Sequence, residues 1–385
     1  MSNVIDLIND KNDNYKKDRH HIIDLVNDDR NDKNDDDDKN KKDHHHVIDL
    51  VNNNDDKNDK NDDTNRKRKV DDKDTFIIVT ININIMGKEK VKNVVDNITK
   101  SMIEQGHDEG DKPDIIFIQE TKIGNMNTRN TIIKEMASYG YEMHHNPVLS
   151  ITFDYKHGNC VLIKKASKLL TNGRFESFDW DIEGRICIWN CLYGIFIGIH
   201  AATPNTKPYN TRKYIHSDIV IQKRFIHREI FDKNIRNYIE EKRKTRTVIV
   251  LGDFNMSSQP IDSSAALWDS PAYTSCRSRH NDLKSSCRLV DIWRKRNVIE
   301  EKRYTSWINH LDEPSQARID LILIPSYLDN EVQYIEIMDN VNFCYDGNKK
   351  LRHGLDHVPV VLKIALLPDI PYNRNEASNN KRVAR

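Results

Sequence analysis

The chain has 385 residues, and its 60 acidic and 60 basic side chains give a formal net charge of zero. It contains no apolar run near the roughly 20 residues of a membrane span, which argues against a membrane protein. Its charged beginning and six cysteines without a CxxC pair predict a protein that is not secreted and keeps its thiols reduced.

Charge is distributed unevenly along the chain. Residues 1–74 hold 16 basic and 22 acidic side chains, a net of −6. That leaves 44 basic and 38 acidic side chains, a net of +6, in residues 75–385. A mildly basic body behind an acidic tail weakly favours a polyanionic partner such as nucleic acid.

The first 74 residues are rich in Asn, Asp and Lys. They bury too little apolar surface to offset the entropy of ordering, so we predict a disordered tail. Three islands interrupt it, each an aliphatic pair, an Asp and a second aliphatic pair. Their aliphatic residues are Val4, Ile5, Leu7, Ile8, Ile22, Ile23, Leu25, Val26, Val47, Ile48, Leu50 and Val51.

Short β-branched stretches of this kind suit addition of a strand to the sheet edge of another protein. The islands resemble SUMO-interacting motifs, which implies SUMO or SUMO-modified proteins as partners of the tail. The alternative is expansion of a low-complexity segment that has no partner. The basic cluster Arg66–Lys69 predicts a nuclear protein, with a solvated linker in a cytoplasmic protein as the alternative.

The body, residues 75–368, alternates apolar runs of strand length with helical patterns. In chain order, we predict a strand at 76–79, a helix over 88–105, a strand at 115–118, a helix over 129–138, strands at 160–163, 186–189 and 195–199, a helix over 211–243, and strands at 248–251, 319–324, 332–337 and 358–364. Many buried strands with interspersed helices indicate a layered α/β domain. Residues 262–288 are interpreted as a polar loop that either reaches the substrate or is idle, and 369–385 as a disordered tail.

Polar residues lie at the ends of several predicted strands, either before, within or after the apolar run. They are Asn82, Asn84, Glu120, Asp253, Asn255, Asp320, Asp356 and His357. Carboxylates and carboxamides delivered by several strand ends can converge in one cleft, where their oxygens suit Mg²⁺. Hydrolysis of a phosphodiester needs such an ion, a base for water and a proton donor for the leaving oxygen.

In this order and spacing, the motifs resemble the endonuclease/exonuclease/phosphatase family, whose fold is shared by DNase I, exonuclease III and LINE-type retrotransposon endonucleases. The segments that carry the resemblance are Thr80–Asn84, Ile118–Lys122, Gly252–Asn255, Arg318–Leu323 and Asp356–Val360. The resemblance implies a four-layered α/β sandwich of the DNase I-like type. It is nearest to the exonuclease III and retrotransposon branches.

The resemblance also implies roles for individual residues. Mg²⁺, with Mn²⁺ as a substitute, would be held by Glu120, Asn82 or Asn84, and Asp356. The catalytic residues would be Asp253, Asn255, Asp320, His357 and His200. Phosphate contacts are expected from Asn205, Arg185 and Arg224, with Lys122, Lys207 and Arg212 as further candidates for contacts to the nucleic-acid backbone.

The sequence departs from the family pattern at three places. Ile81 stands where a Trp is usual, Leu355 replaces a Ser, and His200 fills the Tyr or His position only if the register shifts. The predicted function is a metal-dependent hydrolase of nucleic acid, a DNA endonuclease of the retroelement or exonuclease III type. The alternatives are a catalytically weak tethering module recruited through SUMO and a phosphatase of the same fold.

Overall fold

The computed structural model describes residues 73–84, 88–104, 106–108, 111–123, 126–146, 158–181, 183–202, 217–263, 268, 271–297, 301–310, 313–338 and 356–369. The three aliphatic islands, the basic cluster and residues 370–385 lie outside the described residues. None of the described helices is long and apolar enough to cross a membrane. All five cysteines in the described residues are buried free thiols.

The described residues form fourteen strands and five α-helices. The strands are β1 (Asp74–Asn82), β2 (Ile115–Gln119), β3 (Tyr141–Asn146), β4 (Asn159–Lys164), β5 (Arg174–Glu176), β6 (Ile186–Cys191), β7 (Gly194–His200), β8 (Val248–Asp253), β9 (Leu289–Asp291), β10 (Ser306–His310), β11 (Glu313–Ala317), β12 (Asp320–Pro325), β13 (Val332–Ile337) and β14 (Val360–Leu366). The helices are α1 (Lys88–Glu104), α2 (Met126–Ser138), α3 (Ser217–Lys242), α4 (Pro271–Ser286) and α5 (Ile292–Arg296).

Two six-stranded sheets carry the fold. The first has the order β13-β14-β1-β2-β4-β3, the second has β5-β6-β7-β8-β12-β9, and β10 and β11 form a separate hairpin. The pairs β1/β2 and β7/β8 are parallel, and the other neighbours are antiparallel. Because parallel neighbours end at the same sheet edge, each sheet delivers two carboxyl ends together.

Alternation of side chains along β8 shows how the layers stack. Ile249 and Leu251 join the core between the two sheets, whereas Val248 and Val250 pack with residues of α3 and α4. Successive side chains of a strand point to opposite faces, so β8 is buried on both. The predicted four-layered α/β sandwich, with helices outside two mixed sheets, is confirmed.

The interpretation of residues 262–288 as a loop is wrong, because α4 occupies most of this stretch. The helix is difficult to predict from the sequence because most of its residues are polar. Its buried stripe consists of Cys276, His280 and Leu283, spaced at helical intervals, with Cys287 just beyond its end. At the other boundary, Asp369 was predicted to begin the tail, yet its carboxylate accepts hydrogen bonds from Arg246 and Thr247.

Position 252, directly before Asp253, requires a glycine for two reasons: its backbone conformation and the close approach of the adjacent strand. Its φ is +135°, and a Cβ there would lie 2.0 Å from the carbonyl oxygen of Ile199 on the adjacent strand. We expect Gly252→Ala to cost about 3 kcal/mol of unfolding free energy, from overlap as well as backbone strain. Gly106→Ala is the control, since its φ is +90° but nothing lies within 4 Å, and it should cost only about 1 kcal/mol. Urea unfolding of both variants measures the difference, and equal losses would contradict the overlap.

Candidate active site

The polar residues at the strand ends meet at one edge of both sheets. Asn82 ends β1, and Glu120 follows the parallel neighbour β2 directly. In the second sheet, His200 of β7 lies opposite Asp253 of β8, and Asp253 lies opposite Asp320 of β12. The edge therefore gathers carboxylates from both sheets.

The Glu120 carboxylate is surrounded by donors. Its Oε1 lies 3.1 Å from Asn82 Nδ2 and 3.3 Å from His200 Nε2, and its Oε2 lies 3.2 Å from Lys122 Nζ. Burial by itself raises the pKa of this carboxyl. His200, Asn82 and Lys122 together lower the pKa by more than burial raises it, so the net pKa is well below its usual value. Glu120 is therefore an anion at any working pH.

Several residues around the site adopt left-handed backbone conformations. The φ angles are 56° at Asn84, 53° at Glu120, 49° at Lys122 and 50° at Asn255. Non-glycine residues rarely adopt this region, and those that do concentrate at functional sites. Here the turns direct the side chains after β1, β2 and β8 towards the common edge.

Asp253 is a deeply buried carboxylate of the site, at 1% exposed. Its Oδ2 accepts a hydrogen bond of 3.0 Å from Asn82 Nδ2, and its Oδ1 accepts one of 2.7 Å from the Asn255 backbone N–H. The Asn255 side chain in turn donates to the carbonyl of Ala201 at 2.6 Å. Burial, followed by the nearby Asp320 carboxylate, raises the pKa of Asp253 above its usual range.

Arg185 lies behind His200. Its guanidinium donates to Glu183, to the His200 carbonyl at 3.1 Å and to His200 Nδ1 at 3.3 Å. Because a guanidinium can only donate, Nδ1 must accept, which places the ring proton on Nε2. That Nε2–H faces Glu120 Oε1 at 3.3 Å and Asp253 Oδ2 at 3.9 Å.

This arrangement predicts that Arg185 sets the tautomer of His200. Arg185→Met removes every donor, and we expect the His200 ring to lose its preference for the Nε2–H form, with about a tenfold loss of activity. Glu183→Gln/Arg185→Met is the better background, because it leaves no unpaired buried carboxylate. Nitrogen-15 NMR of the imidazole measures the tautomer, and an unchanged spectrum in the double variant would contradict the role.

His357 and Asp320 form a buried ion pair. His357 Nδ1 lies 2.8 Å from Asp320 Oδ2, and its Nε2 lies 3.4 Å from Ser306 Oγ. Burial by itself lowers the pKa of His357, but the Asp320 carboxylate, with Asp253 and Asp356, raises it to about 10. His357 is therefore an imidazolium at neutral pH, with Nε2 as its outward donor.

Two clusters in the described residues bring potential ligand atoms within 4.8 Å of one another. One consists of Glu120, His200 and Asp253, and the other of Asp253, Asp320 and His357. Asp253 belongs to both, so the clusters are continuous. The carboxylates are the hard donors that a divalent cation prefers.

Asp356 extends this set from the last turn before β14. Its Oδ2 accepts a hydrogen bond of 3.2 Å from Asn84 Nδ2, while its buried Oδ1 has no hydrogen-bond partner among the described residues. A buried carboxylate oxygen without a partner is costly unless a cation satisfies it. The residues around Glu120 and Asp356 therefore fit a hard divalent metal.

The structure brings together most of the predicted site residues. Asn205 lies outside the described residues, as does the side chain of Arg224, so phosphate binding by both stays a prediction. Arg185 is 5% exposed, and its observed contacts are with Glu183 and His200, so phosphate binding by Arg185 also stays a prediction. Lys122, expected to contact nucleic acid, points to Glu120 and Asn84.

Solved structures share the fold. The 3′ phosphatase NExo from Neisseria, determined bound to product DNA hairpin, is 14% identical with a TM-score of 0.54, covering 75% of this chain and 99% of that one. An AP endonuclease from Archaeoglobus fulgidus is 16% identical with a TM-score of 0.51, covering 77% of this chain and 100% of that one. The AP endonuclease LMAP from Leishmania major is 16% identical with a TM-score of 0.53, covering 75% and 87%. No curated protein matches the chain.

A sandwich of two sheets between helices, with carboxylates and histidines at one edge, defines a hydrolase of the DNase I-like fold. Residues 79–329 match the Endonuclease/Exonuclease/phosphatase family, and the chain belongs to that family. Members of this family typically use divalent metals, which agrees with the oxygen-rich cluster described above.

Proposed function

We propose that this chain is a divalent-metal-dependent nuclease that hydrolyses phosphodiester bonds in DNA, of the retroelement or exonuclease III type. The observation that carries the proposal is the position of the buried Asp253 carboxylate. It accepts a hydrogen bond from Asn82 and lies in one cluster with Glu120 and His200 and in another with Asp320 and His357. A base, an oxygen-rich metal cradle and an imidazolium thus share one edge.

Glu120, Asn82 and Asp356 would hold Mg²⁺, with Mn²⁺ as a substitute. When bound, such a cation neutralises charge that develops on the phosphoryl oxygens. Glu120 remains ionised because of its lowered pKa, so the cradle keeps its charge at neutral pH. Asn84 would orient Asp356 through their hydrogen bond.

Asp253 would take the proton of the attacking water. Its raised pKa makes it a stronger base than an ordinary carboxylate while it is still ionised at neutral pH. The hydrogen bonds from Asn82 and Asn255 fix its two oxygens, so its orientation is set before substrate arrives.

His357 would donate from Nε2 to an oxygen of the scissile phosphate. The Asp320 carboxylate holds its other nitrogen at 2.8 Å and keeps the ring charged. A charged donor fixed in a dry site stabilises a phosphoryl transition state more than a mobile one. His200, held by Arg185, presents its Nε2–H to the Glu120 and Asp253 carboxylates and keeps both in place.

DNA is proposed as the substrate because the similar structures include AP endonucleases and a phosphatase bound to a DNA hairpin. The test is a cleavage panel with Mg²⁺ that compares a duplex with an abasic site, intact duplex, single-stranded DNA, RNA and a small phosphomonoester. We expect DNA to be cleaved and EDTA to abolish cleavage. Phosphate release from the monoester, with no DNA cleaved, would contradict the proposal and indicate a phosphatase. If no substrate is turned over, the catalytically weak tethering module is the remaining alternative.

Recruitment through the aliphatic islands is a separate proposal about the tail. It predicts that SUMO shifts the NMR signals of residues 4–8, 22–26 and 47–51 of the full chain. Shifts that are absent or spread over the whole tail would contradict it.

A further inference from the structure

A groove of about 830 Å³ lies beside the second sheet, away from the carboxylate cluster. The C-terminal part of α4 forms one wall, β9 and α5 form the other, and Ser258 and Gln259 close one end. Strand β9 is an edge strand of its sheet, so this side of the sandwich is not covered by a further strand.

The groove carries more positive than negative charge. Arg318 is neutralised by Asp262 at 2.8 Å and Asp291 at 2.6 Å, and Arg294 also binds Asp262. These two cations and two carboxylates, of which Arg294 and Asp291 line the groove, therefore balance one another.

The surplus charge comes from the two walls. Lys295 and Arg296 on α5 share one carboxylate, Asp329, at 2.8 and 3.1 Å. On the opposite wall, the half-buried Lys284 makes no ion pair with any described residue. Two positive charges therefore remain without a matching carboxylate.

Lys284 is the least satisfied of these cations. Burial, opposed by Asp291 and reinforced by Arg318, lowers the pKa of its ammonium. A buried cation next to another cation is stabilised when an anion approaches. The neighbouring neutral donors Asn281 and Asn297 line the same groove and can bond to anionic oxygens.

The groove is joined to the catalytic edge through the loop after β8. Ser258 Oγ lies 3.3 Å from His280 Nε2, and the His280 ring packs edge-on against Phe254 at 5.1 Å between centroids. Phe254 directly follows Asp253, so packed side chains link Ser258 of the groove to the proposed base.

We propose that this groove between α4 and α5 binds the sugar-phosphate backbone of a nucleic-acid strand that extends beyond the catalytic edge. The inference rests on the proposed function for the identity of the polyanion. Spaced cations with amide donors between them fit a phosphodiester chain, whose affinity comes largely from such charges.

The test measures binding of the full-length chain to a labelled DNA duplex by fluorescence anisotropy over a range of salt concentrations, in EDTA so that no cleavage occurs. Lys284→Gln/Lys295→Gln removes one cation from each wall. Lys100→Gln/Lys233→Gln removes two exposed cations on α1 and α3 and is the matched control. Thermal melting confirms that both double variants fold.

We expect the groove variant to bind about tenfold more weakly and its log–log salt slope to fall by about two, while the control stays near wild type. Equal losses in both variants, or no loss in either, would overturn the groove. The groove variant is also compared with the wild type for binding of polyglutamate. If it binds DNA normally and loses affinity only for polyglutamate, the proposal is overturned, since the groove would then suit an acidic peptide.

Failure of the groove and failure of the proposed function are separable. Cleavage with Mg²⁺ is scored on the same proteins: a cleaving wild type whose groove variant binds normally sinks only the groove. If the wild type cleaves nothing but the groove variant still binds DNA more weakly than the wild type, only the proposed nuclease activity is contradicted.

Discussion

Asp253→Asn is expected to lower kcat for DNA cleavage by about 10³-fold while leaving the fold intact. The carboxamide keeps the shape of the side chain, but its single oxygen can accept only one of the two hydrogen bonds that Asn82 and Asn255 donate, and it cannot take a proton from water. Because burial and Asp320 disfavour the Asp253 anion, removing its charge should not reduce the melting temperature of the metal-free protein.

The measurement is single-turnover cleavage together with a thermal melt. Asn255→Ala serves as a comparison, since it removes a positioning contact and leaves the base in place. We expect Asn255→Ala to lose less activity than Asp253→Asn. A variant Asp253→Asn that cleaves at the wild-type rate would show that another group deprotonates the water.

Replacement of His357 has the second-largest expected effect. His357→Ala removes the charged donor and should reduce kcat by about 10²- to 10³-fold, as for loss of one preorganised donor. It also leaves Asp320 as an unpaired buried anion, so a loss of stability is expected along with the loss of activity. His357→Ala/Asp320→Asn separates the two effects, since it should recover stability and not activity.

Asp320→Asn alone tests the cause of the charge on His357. In the wild type, the pKa of His357 is raised to about 10 from its usual 6.5, so the imidazolium persists until the pH rises through about 10. Without the carboxylate, burial lowers that pKa, and the charged form is lost at lower pH. We therefore expect the alkaline limb of the pH–rate profile to move towards neutral pH in Asp320→Asn. An unmoved limb would assign it to another group.

The strands that build the site could be predicted because their apolar runs are long and bounded by polar residues. Val248–Leu251 is a clear case, since a strand buried on both faces is apolar throughout. The order of motifs then indicated which polar side chains meet. Helix α4 could not be predicted, because its buried stripe contains His280 and Cys276 and only one aliphatic residue, Leu283.

The contacts of Arg185 and Lys122 could not be predicted from the sequence either. Both were expected to contact nucleic acid, because phosphate contacts from basic side chains supply much of a nuclease's affinity. The structure buries the Arg185 guanidinium between Glu183 and His200 and directs Lys122 to Glu120. Spacing along the chain does not reveal such pairings, because they depend on which strands become neighbours.

The proposed function requires Glu120, Asp253 and His357 to form one metal-dependent site that cleaves DNA. Nicking of supercoiled plasmid by the purified full-length chain tests it most directly, with Mg²⁺ or Mn²⁺, with EDTA, and with Glu120→Gln. We predict relaxed circles only for the wild type with metal, and at least a 10²-fold slower reaction for Glu120→Gln. Intact plasmid in both metals, or nicking that persists in EDTA, would contradict the account.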